Sequence, residues 1–203
     1  MTEFIYLIPG NWFELKNIII EKTIPYDEDS FIIELSKQIK SSEENLSVIN
    51  AHYPIINTNT KNIEFYLSEE KFSTIASILQ SEKAHPIITF HGTSLQSAQS
   101  IIKNGYNLPG ENGVKSINGL AHGKGIYSTP FYQKAMSYAV SNNHSNIIAL
   151  VVNILFLGKA KMMAQGSINN DCIDTKILYG MDQFVTINPQ RIIPLAIIRI
   201  ENK

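Results

Sequence analysis

The sequence is poor in cysteine and in charged side chains. Cys172 is the single cysteine among 203 residues, which excludes a disulfide scaffold and a cysteine-rich structural zinc site. Charged residues make up only 17 % of the chain, the net charge is −1, and arginine occurs only at Arg191 and Arg199. A protein that binds nucleic acid through its phosphates needs a basic face. The composition therefore argues against a nucleic-acid partner.

Long apolar segments are also missing. The N-terminus has an acid at Glu3 and no basic segment before an apolar stretch, so it lacks the pattern of a signal peptide. The longest apolar runs, Ile147–Leu157 and Ile192–Ile200, are too short to span a bilayer. We therefore expect an intracellular protein, cytoplasmic by default, with no membrane partner. Delivery as a secreted effector stays open.

No metal site or phosphate loop is indicated. The five histidines never occur four residues apart, the spacing that places two of them on one helix face. The segment Gly119–Gly125 resembles a phosphate loop only superficially. That motif needs four residues between its glycines and a Ser or Thr after the lysine, whereas Gly125 follows Lys124 here. We expect neither metal nor nucleoside triphosphatase chemistry.

Hydrophobic residues make up 44 % of the chain, enough for a sizeable core, and the pattern changes near residue 86. Residues 1–85 lean towards helix, with predicted helices over Phe31–Lys40 and from Ser68 onwards. They contain no recognisable chemistry. We therefore divide the chain into an N-terminal region of unknown role, residues 1–85, and a second domain, residues 86–203.

The second region alternates strands and helices without a regular repeat. Ile87–Phe90 is a strand candidate; Ser94 is placed to cap a helix that ends at Gly105, and Thr129 with Pro130 is placed to start another. Three further strands are predicted at Ile147–Leu157, Gln183–Ile187 and Arg191–Ile200. Because the strands dominate the C-terminal half, the pattern predicts an α+β fold with an antiparallel or mixed sheet, preceded by the small helix-rich region.

Three motifs follow one another in this region. They are Phe90-His91-Gly92-Thr93, then Gly123-Lys124-Gly125-Ile126-Tyr127-Ser128, then Asp182-Gln183-Phe184-Val185-Thr186-Ile187. Each motif alone is weak, and a lone histidine at a strand end or a lone tyrosine is more often structural. As an ordered set they resemble the catalytic domain of the poly(ADP-ribose) polymerase-like ADP-ribosyltransferases, in the branch marked by a His-Tyr-Glu triad.

The resemblance implies a split sheet with an NAD site in its cleft, and a role for each matching residue. His91 would bind the adenosine ribose, the backbone of Gly92 would hold the nicotinamide carboxamide, and Thr93 would support it. Tyr127 would form the cleft wall, and Tyr138 would stack on the nicotinamide ring. The resemblance also implies that Gly125, Ser128 and Ala135 belong to the NAD site, and that the loop Asn107–Gly125 covers the dinucleotide. We expect His91, Thr93, Tyr127, Tyr138 and Gln183 to converge on one cleft.

Two positions depart from the family pattern. Gln183 stands where the triad has its carboxylate, and Ala135 stands where the family has a serine that binds the carboxamide. A glutamine accepts a hydrogen bond from a ribose hydroxyl but supplies neither negative charge nor a base. We therefore do not expect chain elongation.

Three functions fit these residues. The leading interpretation is a mono-ADP-ribosyltransferase, an NAD-dependent pentosyltransferase with His91, Tyr127 and Gln183 as its catalytic set. It uses NAD as substrate, needs no metal, releases nicotinamide, and modifies an acceptor that the low basic content favours as protein over nucleic acid. The alternatives are a weak or inactive module that binds NAD or ADP-ribose, favoured by Gln183 and Ala135, and an NAD glycohydrolase.

Overall fold

The computed structural model describes residues 61–66, 68–82, 86–111, 121–141, 147–164, 172–178 and 183–201. Within them the elements are, in chain order, β1 (Lys61–Phe65), α1 (Glu69–Glu82), β2 (Ile87–Ser94), α2 (Leu95–Asn104), β3 (Ile126–Ser128), α3 (Tyr132–Ser141), β4 (Ile147–Leu155), β5 (Ala160–Met163), β6 (Thr175–Leu178), β7 (Phe184–Thr186), a 3₁₀ turn (Pro189–Arg191) and β8 (Ile192–Glu201). The helix predicted over Phe31–Lys40 lies outside the described residues. None of the described helices is long and apolar enough to cross a membrane.

The strands form two four-stranded sheets. The first has the order β1-β8-β4-β2 and is antiparallel throughout; the second has the order β3-β7-β6-β5, with only the β5–β6 pair parallel. The prediction of an α+β fold with a split antiparallel and mixed sheet is therefore confirmed. Strand β1 and helix α1 lie within residues 1–85. The first sheet therefore contains strands from both sides of the predicted division at residue 85.

The first sheet is buried on both faces, which explains its β-branched, apolar strands. On one face, residues such as Leu150 and Val152 pack with Met136 and Ala139 of α3 and with Ile75 of α1. On the other face, Ala149, Val151 and Ile197 pack beneath α2. This apolar core buries the first half of β2, the strand that carries the first motif.

Local capping explains the boundaries of α2. The Ser94 side chain accepts a hydrogen bond from the Ser97 amide at 3.1 Å, as an N-cap should. Gly105 ends the helix with φ of 76°, and its amide donates to the Ile101 carbonyl at 2.8 Å. Both predicted ends of this helix are confirmed.

Helix α3 begins two residues later than predicted, at Tyr132 instead of Pro130. The reason is that Thr129 is still engaged in sheet bonding. Its carbonyl accepts from the Phe90 amide at 2.7 Å, and its amide donates to the Phe90 carbonyl at 3.1 Å. This isolated bridge links the edge strand of one sheet to the edge strand of the other.

The two sheets separate immediately beyond that bridge. Continued antiparallel pairing from Phe90 and Thr129 would place Gly92 opposite Tyr127. Among the described residues no such pairing follows the bridge, and the Tyr127 carbonyl instead accepts a hydrogen bond from Nδ1 of His91 at 2.8 Å. The resulting split between β2 and β3 opens a cleft at the point where the first and second motifs meet.

Asp174 fastens the far end of the second sheet. Its carboxylate accepts hydrogen bonds from the Lys159 amide and the Asn188 side chain, both at 2.9 Å, and it lies 3.6 Å from the Arg191 guanidinium. Burial alone would raise the pKa of this carboxyl, but the two hydrogen bonds and the nearby cations outweigh burial and lower it. The start of β6 is thereby tied to the chain before β5 and the turn before β8.

Candidate active site

The His91 side chain lies at the mouth of the cleft. Its Nδ1 atom is 2.8 Å from the Tyr127 carbonyl oxygen. Because a carbonyl only accepts, Nδ1 carries the proton, and Nε2 of the neutral ring is a hydrogen-bond acceptor. The ring packs edge-on against Tyr106, with centroids 5.5 Å apart, and the Tyr106 hydroxyl donates to Asn153 at 2.9 Å. The imidazole is therefore fixed in position and in tautomer.

Burial keeps this imidazole neutral. Desolvation lowers the pKa of His91 below its usual value of 6.5, and the hydrogen bond to the Tyr127 carbonyl offsets part of that effect. The neighbouring Tyr106 has its pKa raised well above 10 by the same burial. At neutral pH the site therefore presents an uncharged acceptor at Nε2.

The lowered pKa of His91 predicts an acid-sensitive fold. Between the folded-state pKa of His91 and about pH 6.5, the unfolded chain binds more protons than the folded chain. The contribution of His91 to the free energy of unfolding is therefore complete above pH 6.5 and decreases as the pH is lowered through this window. His91→Asn should remove that dependence, because its amide retains a donor for the Tyr127 carbonyl and does not titrate. Melting temperatures from pH 7.5 to 5 test this expectation. Parallel curves for the two proteins would contradict it.

The Tyr127 hydroxyl is bound to the end of its own loop. It accepts from the His122 amide at 3.0 Å and donates to the Gly123 carbonyl at 2.9 Å. Its ring packs against the apolar cluster on β5, β6 and β7 that includes Val185. Burial raises the pKa of this phenol. Tyr127 thus supplies a ring surface and a carbonyl to the cleft, while its hydroxyl closes the residue 122–127 turn.

Gln183 and Tyr138 meet although they are far apart in the sequence. The Gln183 amide nitrogen lies 3.4 Å from the Tyr138 hydroxyl. The Gln183 side chain is buried, with 8 % exposure, whereas Tyr138 on α3 is 40 % exposed. Tyr138 also raises the pKa of Tyr127 electrostatically. The ring of Tyr138 therefore presents an open aromatic surface beside a buried amide.

Gly92 lies directly against helix α3. A Cβ atom at this position would be 1.9 Å from the Ala135 carbonyl oxygen and 2.9 Å from the Ala139 amide nitrogen. Ala135 is itself buried. Close packing of the helix on the strand is thus one physical reason for glycine at this position.

The backbone of Gly92 also faces the cleft. In an antiparallel strand, the groups two residues apart along the chain point to the same side. The amide and carbonyl of Phe90 bind Thr129 across the strand edge. The amide and carbonyl of Gly92 therefore point to the same side, beyond the Phe90–Thr129 bridge. Among the described residues, no strand pairs with Gly92 on that side. Its amide and carbonyl form a donor and acceptor pair at the cleft.

The remaining predicted site residues surround this point. Thr93 is half-buried and pairs with Ala149, on the same sheet face as His91. Ser128 is 3 % exposed, and its hydroxyl has no hydrogen-bond partner in the described part of the chain. A Cβ at Gly125 would be 2.4 Å from the Val185 side chain, so this part of the loop runs close to β7.

The sequence analysis missed two buried lysines in this region. Lys134 lies on α3, one turn before Tyr138, and Lys176 lies on β6 with no exposed surface. The i, i+4 spacing to Tyr138 was a usable signal for Lys134. For Lys176 the pattern Thr175-Lys176-Ile177-Leu178 gives no signal of burial, because a lysine between apolar residues normally indicates a solvent-facing strand position.

The structure thus joins four of the predicted residues in two pairs, His91 with Tyr127 and Gln183 with Tyr138. Within the described part of the chain no hydrogen bond joins Thr93 to these residues, and it shares only the sheet face of His91. No group of three or more His, Cys, Asp or Glu side chains suited to a metal occurs in the described ranges.

Comparison with known proteins places these observations in context. The sequence model of the poly(ADP-ribose) polymerase catalytic domain matches residues 34–191, most of the chain. The match begins well before the first motif, and it includes β1 and α1. No curated protein matches the sequence.

Proposed function

This chain belongs to the family of poly(ADP-ribose) polymerase catalytic domains, and we propose that it transfers a single ADP-ribose unit from NAD to a protein acceptor and releases nicotinamide. Domains of this family use NAD as substrate. The observation that carries the proposal is the buried amide of Gln183 beside the exposed ring of Tyr138. In our proposal Tyr138 supplies the aromatic surface, and the neutral amide of Gln183 takes the place that the carboxylate has in the family's triad.

The groups at the cleft fit the parts of NAD. The edge-facing amide and carbonyl of Gly92 match the acceptor and donor of a carboxamide. The Tyr138 ring offers a π face to the cationic pyridinium. The Nε2 atom of His91 accepts a hydrogen bond, which suits a ribose hydroxyl.

The proposed chemistry breaks the bond between the anomeric carbon and the nicotinamide nitrogen. The electron pair of that bond returns to the ring, which leaves as neutral nicotinamide. The acceptor's lone pair forms the new bond to the anomeric carbon, and a proton carried by the acceptor nucleophile passes to a base of the acceptor or to water. The transition state resembles an oxocarbenium ion. In our proposal Gln183 holds the 2′-hydroxyl through its amide oxygen, and the acceptor supplies its own nucleophile without help from a base at residue 183.

Gln183 also limits the product. An amide does not accept a proton at neutral pH and cannot activate a ribose hydroxyl of bound ADP-ribose for a second transfer. We therefore propose mono-ADP-ribosylation instead of polymer synthesis. Residues 86–203 would form the NAD-binding unit together with β1 and α1, which belong to its first sheet and core, and the rest of residues 1–85 would position the acceptor. An intracellular location is part of the same proposal.

Incubation of the full chain with radiolabelled NAD and cell lysate tests the function directly. Transfer of label to protein supports the proposal. Accumulation of free ADP-ribose would instead indicate the glycohydrolase, and bound but unreacted NAD would indicate the inactive module that Gln183 and Ala135 favour. Digestion of labelled protein to a single ADP-ribose per site distinguishes mono-transfer from polymer.

We expect the exposed ring of Tyr138 to strengthen the binding of NAD. Tyr138→Ala should weaken it by about 1–3 kcal/mol, the value of an aromatic and cation–π contact. Tyr138→Phe is the matched control, because it retains the ring and loses only the hydroxyl that contacts Gln183. Isothermal titration with NAD should show near wild-type affinity for the control. Equal affinities of wild type and Tyr138→Ala would mean that the ring does not stack on nicotinamide.

A further inference from the structure

Lys176 is a buried cation on the cleft side of the second sheet. It is on β6 opposite Val185 of β7, which is in turn opposite Tyr127 of β3. Residues directly opposite each other across antiparallel strands share one face, so all three side chains lie on the same face. The relative exposure of Lys176 is 0 %. The ammonium group of Lys176 therefore lies among apolar side chains and not at the surface of the sheet.

Such a position is unfavourable for folding. A buried ammonium loses its hydration, and only a well-formed set of partners restores that free energy. In the described part of the chain Lys176 has a single hydrogen bond, from Nζ to the His122 carbonyl at 2.9 Å, and no carboxylate pairs with it. An apolar side chain of similar length would be accommodated at least as well.

The single contact of Lys176 lies at the end of the loop that precedes Tyr127. The His122 carbonyl accepts from Lys176, and the His122 amide donates to the Tyr127 hydroxyl at 3.0 Å. The same hydroxyl donates to the Gly123 carbonyl at 2.9 Å. The peptide groups of residues 122 and 123 are therefore held from two sides, by a lysine of the second sheet and by the tyrosine of the cleft wall.

This hydrogen-bonded set continues to the first sheet. The Tyr127 carbonyl accepts from Nδ1 of His91 at 2.8 Å. Lys176, the residue 122–123 backbone, Tyr127 and His91 thus form one connected arrangement across the cleft. A change at Lys176 should shift the loop end and, through Tyr127, the geometry at His91.

We propose that Lys176 is a positioning residue for NAD: it fixes the end of the loop formed by residues 121–125 against the cleft wall, at a cost to the stability of the fold. This inference rests on the proposed function, since it concerns the same cleft. It does not assign Lys176 a contact with NAD, because the side chain has no exposed surface.

Lys176→Met in the full chain tests the proposal, because methionine keeps the length and removes the charge and the donors. We expect the Kd for NAD to rise by about tenfold, from the misplaced loop end, while the melting temperature stays equal or rises. In turnover, the KM for NAD should increase more than kcat changes. Lys161→Met is the matched control, since Lys161 pairs with Lys176 on the adjacent strand but is exposed; its Kd should equal that of wild type.

A double-mutant cycle with Tyr127→Phe adds a readout that a structural role alone would not change. Lys176→Met releases the His122 carbonyl, and Tyr127→Phe releases the His122 amide and the Gly123 carbonyl. Because both substitutions free the same loop end, the double variant should bind NAD about as weakly as the weaker-binding single variant. Additive losses would overturn the proposal. So would wild-type affinity in Lys176→Met, or a variant that melts much earlier or fails to fold, since the charge would then serve the fold. If wild type itself binds no NAD, the proposed function fails first.

Discussion

We expect Gln183→Glu to accelerate nicotinamide release from NAD by roughly ten- to a thousandfold, the range of one well-placed electrostatic group. The side chain is buried beside Tyr138, where a fixed carboxylate would face the positive charge that develops on the ribose. The phenol can reverse its role and donate to the new carboxylate. Lys176, diagonally across the β6–β7 pair, supplies a compensating positive charge on the same face.

Steady-state release of nicotinamide measures this effect, with Gln183→Ala beside it to remove the hydrogen-bonding group. Gln190→Glu is the matched control, because it makes the same chemical change at an exposed residue in the turn before β8; its rate should equal that of wild type. Equal and substantial rates for wild type, Gln183→Glu and Gln183→Ala would show that Gln183 does not face the reacting ribose.

Gly92→Ala should destabilise the fold by about 3 kcal/mol or more, because overpacking against backbone cannot be relieved by a side-chain rotation. The added methyl group would lie 1.9 Å from the Ala135 carbonyl oxygen and 2.9 Å from the Ala139 amide nitrogen. Helix α3 must therefore move away from β2. For a domain of this size the melting temperature should decrease by roughly 10 °C, and NAD binding should decrease as well, because α3 carries Tyr138.

Gly105→Ala separates this steric effect from the ordinary cost of replacing a glycine. Gly105 has φ of 76° and ψ of −177°, and a Cβ there would meet nothing within 4 Å, so backbone strain of about 1–3 kcal/mol is expected without any movement of α3. Circular-dichroism melting of both variants gives the comparison. Similar, small losses at the two glycines would mean that α3 does not pack on Gly92 as described.

The parts of the fold that local sequence determines were predictable. Helix α2 followed from Ser94 and Gly105 because a cap and a left-handed glycine act within one turn. The start of α3 was wrong by two residues because it depends on the bond between Thr129 and Phe90, which the sequence does not reveal. Strand β1 was missed for the same reason: its partner, β8, lies at the other end of the described chain.

Part of the candidate site was likewise predictable from the sequence, and part was not. The motif order indicated the family, and His91 and Gln183 lie where two sheets and a helix meet. The engagement of the Tyr127 hydroxyl with the residue 122–123 backbone, and the burial of Lys176 beneath it, depend on how a loop folds onto a distant strand. The types of the residues and their spacing in the sequence do not predict such contacts.

The central position of β8 has a consequence for the order in which the protein forms during synthesis. This strand pairs with both β1 and β4, yet it follows every other described strand along the chain. Until it emerges from the ribosome, Lys61–Phe65 has no neighbour and the buried edge of β4 is open. Helix α2 and the β2–β4 pair can assemble first, since their contacts are nearer in sequence. The first sheet is therefore completed only after β8 has been synthesised, and until then the nascent chain exposes unpaired strand edges that a chaperone would need to shield.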